Sequence, residues 1–269
     1  MDKSGWILSL ASILLLSSCA SSSPPSRLSQ YVGPLSASEL SEATLPSLRP
    51  IRAALVVLSD NTAPEAAPVL PSEAQARLAE TLREQVNRGY PLMIEQVVPT
   101  EDFPAESSKP DWTALAARYG VDYLLVTVLS STEQEYPITL FLGWTTHSQP
   151  GYRRDNWALA EAALIEGRSG RVSLAAEGRA WATLDRPTAP GISQWYPVIY
   201  LRPQDPERRI WPPTYEGAPI TLRLVAMQNA AARLAMNLQR AWIRQRDQDL
   251  AAATPYPYRN TYTKTNPKG

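Results

Sequence analysis

The chain has little of what most often carries cross-links or metal chemistry. Its 269 residues contain one cysteine, Cys19, and one histidine, His147. A single cysteine excludes an intrachain disulfide, and one histidine beside it excludes a zinc site built from His and Cys ligands. Glycine is modest at 12, and no glycine-rich phosphate loop is present. Charge of neither sign prevails, with Lys+Arg and Asp+Glu at 26 each, so there is no basic footprint for nucleic acid. No hydrophobic run beyond the amino terminus is long enough to span a bilayer, and the bulk of the chain is expected to be water-soluble.

Proline, by contrast, is abundant at 25, with eight Trp and twelve Tyr. Prolines at this frequency predict extended connections around a compact core, and the aromatic rings supply large apolar area for packing it. At the amino terminus Lys3 precedes an apolar run from Trp6 to Leu16, the length of a signal-peptide core and too short to cross a membrane. It ends in Leu16-Ser17-Ser18-Cys19, which resembles the lipobox of bacterial lipoprotein precursors. The resemblance implies removal of residues 1–18, lipidation of Cys19, and durable anchoring, since each buried methylene contributes about 0.8 kcal/mol. Ala20 at the second mature position implies sorting to the outer membrane, with the domain facing the periplasm.

Residues 19–50 are rich in Ser and Pro and read as a flexible tether. Thirty residues, if extended, would reach on the order of 100 Å. A single α/β domain is expected over residues 51–250, followed by a disordered tail over 251–269. Ala53-Ala54-Leu55-Val56-Val57-Leu58 reads as a strand buried on both faces. Ser72 with Gln75 three residues on suggests a capping box, after which Leu78, Leu82 and Val86 recur at helical spacing up to Gly89. A second strand covers Leu92 to Val98. Pro110-Asp111-Trp112 opens a short helix that Gly120 closes, and a third strand covers Val121 to Leu129. Trp157 to Glu166 and Arg171 to Leu184 form a hairpin turned by Gly167-Arg168-Ser169-Gly170. Pro219 to about Leu250 reads as a long helix whose apolar face carries Leu224, Met227, Ala231, Leu234, Leu238 and Trp242. The expected fold is α/β (α+β), a mixed sheet of about five strands in the order β-α-β-α-β-β-β-α, with helices packed on it. Residues 130–156 and 186–217 read as inserts into this scheme.

Two local features carry a wider likeness. Ala117-Arg118-Tyr119-Gly120-Val121-Asp122-Tyr123 sets a helix end directly before a buried strand, and Leu164 to Val172 places a Ser-Gly turn between two strands. With the order of elements, they resemble an envelope-lipoprotein domain found in the penicillin-binding-protein activator LpoB, the curli-secretion lipoprotein CsgG and the amino-terminal domain of TolB. That resemblance implies a binding or assembly role among envelope proteins. The chain departs from it in its two long inserts and in lacking pore-forming amphipathic hairpins.

Catalytic constellations are not evident. His147 adjoins Ser148 but no nucleophile elbow, and reads as a loop histidine. Glu101 with Asp102, Glu133 with Glu135, and Glu161 with Glu166 read as ordinary surface acids rather than a glycosidase pair. Ile138 to Trp144 reads as a strand extending the sheet, with a membrane- or partner-contacting tip as the alternative. The segment 186–217 is denser in aromatics and arginine. Trp195, Tyr196, Tyr200, Arg202, Arg208, Arg209, Trp211 and Tyr215 would suit a partner surface. The alternative is that this segment wraps the sheet and buries its rings. The expectation is therefore a non-enzymatic adaptor, assembly or regulatory lipoprotein with no cofactor. Its partners would be the membrane, through lipid on Cys19, and other envelope proteins or peptidoglycan. A glycan-binding module is the next reading, and a cell-wall hydrolase the third.

Overall fold

Apolar runs of opposite periodicity meet in one sheet. The computed structural model describes residues 23–35, 50–89, 91–99, 110–141, 148–188, 197–201 and 208–253. Its elements are α1 (Leu28–Val32), β1 (Ile51–Asp60), α2 (Ser72–Asn87), β2 (Leu92–Val97), α3 (Trp112–Tyr119), β3 (Tyr123–Phe141), β4 (Ser148–Glu166), β5 (Val172–Pro187), β6 (Val198–Tyr200), β7 (Arg209–Ile210) and α4 (Ala218–Ala253). The sheet runs β2-β1-β3-β4-β5-β6-β7. β1 is parallel to both β2 and β3, and every later pairing is antiparallel.

Helices cover both faces, which explains the continuous apolar run in β1. On one face α2 and α4 pack over Ala53, Leu55, Leu125, Leu164 and Leu184. On the other, α3 and α1 lie over Ala54, Val56, Leu124, Val126, Ala163 and Ile165. We call these the helix face and the strap face. α2 buries Leu78, Leu82 and Val86, as their spacing predicts. α3 starts at Asp111, whose carboxylate accepts from the Thr113 and Ala114 amides at 3.0 and 3.1 Å and from the Thr113 hydroxyl. These hydrogen bonds, that of the Thr113 hydroxyl foremost, hold the Asp111 carboxyl below its ordinary range. α3 ends at Gly120, left-handed at φ 63°. α4 crosses β5 at Gly178, where a Cβ would lie 2.2 Å from the Ala230 carbonyl oxygen and 2.3 Å from the Leu234 nitrogen. Only glycine lets that helix come so close.

Several expectations change. The capping box at Ser72 does not form, because Pro71 holds the cap position without a side-chain bond. The Gln75 amide instead donates backward to the Leu70 carbonyl at 2.7 Å. Residues 130–156 are not an insert, since β3 and β4 pair without a break from Tyr123 with Glu166 to Phe141 with Ser148. Within 186–217, β6 and β7 add two edge strands, so the sheet has seven strands rather than about five. Finally, the stretch 19–50 is not one free tether. Residues 23–35 form a strap against the sheet, with Leu28 buried and Tyr31, Val32 and Leu35 packed beside it. Of the tail expected at 251–269, residues 251–253 continue α4 instead, and 254–269 lie outside the described residues.

Candidate functional site: strap and adjoining sheet face

The strap is fastened by polar groups that the apolar pattern does not reveal. α1 has no capping side chain of its own at Arg27. Glu161 of β4 supplies one from the sheet. Its Oε2 accepts from the Arg27 amide at 2.7 Å and the Leu28 amide at 3.3 Å, and its Oε1 accepts from the Ser26 hydroxyl. A carboxylate at a helix amino terminus satisfies orphan N–H groups and meets the positive end of the dipole. Reading Glu161 as a surface acid is therefore corrected, since it is buried at 3% exposure beneath the strap. Arg179 of β5 donates to the Ser23 hydroxyl at 2.7 Å and the Pro24 carbonyl at 3.2 Å. The Tyr31 hydroxyl donates to Asp60 at 3.1 Å, and the Trp112 indole donates to the Tyr31 carbonyl at 3.3 Å.

Burial and then the Asp60 charge push the Tyr31 hydroxyl up to about 12. Burial alone would raise Asp60, but hydrogen bonds from the Thr62 amide, the Thr62 hydroxyl and Tyr31 outweigh it and hold the carboxyl below its usual range. Both shifts favour the neutral phenol beside the ionised carboxylate.

Past the strap the same face continues, with Trp181 and Gln134 exposed on it. Registers place Leu159 opposite Arg179, then Trp157 opposite Trp181, then Asp155 opposite Thr183, then Arg153 opposite Asp185. Tyr200 of β6 lies beside Thr183, and Arg209 of β7 beside Tyr200. The polar groups among them are paired. Asp155 accepts from Tyr136 at 2.8 Å and from Thr183 at 2.6 Å. Arg153 holds Asp185 through two bonds of 2.7 and 2.8 Å, and this raises its guanidinium pKa despite burial. The Arg209 guanidinium stands 5.7 Å over the Tyr200 ring. Burial first, then Asp185, raise the Tyr200 hydroxyl, against Arg209 and Arg153.

The residues expected as a partner surface divide. Tyr200 and Arg209 come together on the strap face. Arg208 is exposed, and Trp211 is 56% exposed. Tyr215 lies apart from them, lining a cleft of about 30 Å³ with Tyr152, Arg154 and Arg186 at the start of α4. Cys19, His147, Trp195, Tyr196, Arg202 and the pair Glu101-Asp102 lie outside the described residues. Sequence reasoning missed Trp157, Trp181 and Arg179 as a group. Alternation along Trp157 to Glu166 and Arg171 to Leu184 was the available signal, because it puts Arg179 and Trp181 on one side of β5.

The helix face carries a second ion-pair network. Glu133 accepts from Arg223 at 2.9 Å and pairs with Arg154 at 3.3 Å, while Glu135 pairs with Arg154 and with Arg186 at 2.9 Å. This acid pair is thus engaged by three arginines. At the opposite end an open groove of about 330 Å³ runs between α2 and α4, with Leu92, Leu164, Leu174, Met236 and Trp242 among its walls. Among the described residues no group of acids, histidines or cysteines is placed to hold a metal, and no helix is long and apolar enough to cross a membrane.

No family model matches the chain, and no curated protein matches it. Solved structures that resemble it include a neuraminyllactose-binding hemagglutinin homolog from Helicobacter pylori, at 12% identity and a TM-score of 0.39, over 76% of this chain and 96% of the other. A lipoprotein from Neisseria meningitidis is similar at 15% identity and a TM-score of 0.26, over 48% of this chain and 79% of the other. Rare lipoprotein B from Shewanella oneidensis is similar at 12% identity and a TM-score of 0.26, over 76% and 99%. Bacterial lipoproteins are thus among the structures it resembles.

Proposed function

We propose that this chain is a lipoprotein of the bacterial cell envelope, held at the outer membrane by acyl chains on Cys19, whose domain binds and positions other envelope proteins without chemical turnover. The observation that carries the second half is the fate of the buried carboxylates. Among the described residues these are Asp60, Asp155, Glu161 and Asp185. Each is spent on the fold, against Thr62 and Tyr31, Tyr136 and Thr183, the strap, and Arg153 respectively. A general acid or base needs a carboxyl aimed at a substrate with its proton poised near working pH. These are aimed at structure. What faces outward is aromatic and cationic, the composition of recognition surfaces.

Photo-crosslinking tests this reading. A crosslinker at Trp211 or Tyr215 of the intact lipoprotein in cells should capture a defined envelope protein, and the adduct should vanish when Arg208 is replaced by Ala. Cleavage of wall fragments by the purified protein, with no adduct formed, would contradict it. A glycan-binding role is the second reading, favoured by the exposure of Trp211 and Tyr215. It predicts co-sedimentation with isolated peptidoglycan that Trp211→Ala abolishes.

A further inference from the structure

We propose that the open part of the strap face, centred on the Trp157–Trp181 pair, lies against the lipid surface that anchors the chain. The inference rests on the reading that Cys19 carries lipid, and goes beyond it by fixing which side of the domain meets the membrane.

Chain length sets the geometry. Three residues lie between Cys19 and Ser23, and the four steps along the chain reach at most about 14 Å. Ser23 is already seated on the domain, bonded to Arg179 at 2.7 Å. Trp181 follows Arg179 on the same face of β5, about 7 Å further along the strand. An acyl group on Cys19 therefore enters the bilayer beside the strap face. The helix face, with α2 and α4, is turned to the other side of the sheet.

The composition of the open face suits a lipid interface. Trp181 is 37% exposed, and its partner Trp157, with Tyr136 and Tyr200, is half-buried. Trp and Tyr rings are amphipathic and concentrate at headgroup depth. The acids that would repel anionic headgroups are already engaged. Glu177 pairs with Arg179, Asp185 with Arg153, and Asp155 is bonded by Tyr136 and Thr183. Arg209, stacked on Tyr200, adds positive charge at the rim. Arginine stems lie along apolar surface while their heads reach phosphate.

The test uses the intact lipoprotein in vesicles of phosphatidylethanolamine and phosphatidylglycerol, with and without nitroxide-labelled lipid. With its own cysteine acylated, the chain accepts an environment-sensitive fluorophore only at an introduced thiol. Trp181→Cys and Gln134→Cys place it on the strap face, Gln134 being exposed and opposite Asp155. Met236→Cys, at a position 49% exposed beside the α2–α4 groove, is the control on the helix face. Gln134→Cys guards against misfolding at the tryptophan site. The labels at 181 and 134 should lose most of their emission to nitroxide lipid, and the label at 236 almost none. If the amino-terminal peptide carries no acyl mass, this inference and the anchor reading fall together. If the protein is acylated and vesicle-bound but all three labels respond alike, the anchor stands and the membrane-facing patch is wrong. Blue-shifted emission at 181 and 134 without lipid quenching would mean that protein covers the face, and would also overturn it.

Discussion

At the scale of single residues, Glu161 and the pair of Tyr31 with Asp60 decide whether the strap stays down. Glu161 completes the amino terminus of a helix that lies more than a hundred residues earlier, as Arg27–Glu161 bonding shows. Hydrogen bonds to an ionised, buried acceptor contribute about 1.5–3 kcal/mol each, less the cost of burying the charge. Glu161→Ala should release the strap while leaving the sheet folded, read as fast amide exchange at residues 26–33 with β1 and β3 still protected. Retained protection at 26–33 would show that Leu28 and Tyr31 suffice. The pH response has a definite sign. The Tyr31 hydroxyl is raised by the fold, so its contribution is full below the ordinary tyrosine value of about 10 and is lost as pH climbs toward about 12. Asp60 is lowered by the fold, so its contribution is present above the ordinary value of about 3.9 and is lost as pH falls below that. Strap protection measured across pH should therefore fall at both ends, and Tyr31→Phe should abolish the alkaline step and shrink the acid one, since Tyr31 also helps to hold Asp60 down.

At the scale of elements, the crossing of α4 over β5 is the tightest constraint. Gly178→Ala puts a methyl into the backbone of α4, and overpacking of this kind costs about 3 kcal/mol. For a domain of this size that is roughly 6–12 °C in melting temperature, with the far-ultraviolet circular dichroism of the native state kept. An unchanged melting temperature would mean that α4 can ride outward freely. Much of this level was legible in advance. The apolar run of β1, the spacing of Leu78, Leu82 and Val86, the Gly120 cap and the turn at Gly167 to Gly170 all express local rules, and the structure has them where those rules put them. The distal halves of β3 and β4 were not legible, for a physical reason. Ser131 to Pro137 is polar on both faces and Arg153 to Asn156 carries charge on both, so no apolar alternation marks them as strand. What holds them is cross-strand pairing, Arg154 to Glu135 and Arg153 to Asp185, and such pairs exist only once register is set. The strap escaped notice likewise. Its Ser-Pro composition describes a chain that cannot fold alone, and its stability comes from Glu161, Arg179 and Asp60 in distant strands.

At the scale of the whole molecule, the strap changes how the domain relates to its proposed anchor. A free tether over residues 19–50 would let the domain range tens of ångströms from the membrane. A strap seated from Ser23 leaves three residues between the domain and Cys19 and turns one face of the sheet toward the anchor. The α2–α4 groove and the ion-pair cleft near Tyr215 are then on the side turned away from the proposed anchor. Neutron reflectometry of the acylated protein on a supported bilayer tests this account most directly. It predicts protein density beginning at the headgroups with no intervening water layer, and a water layer appearing in Glu161→Ala. A layer tens of ångströms deep beneath the unaltered domain would contradict it.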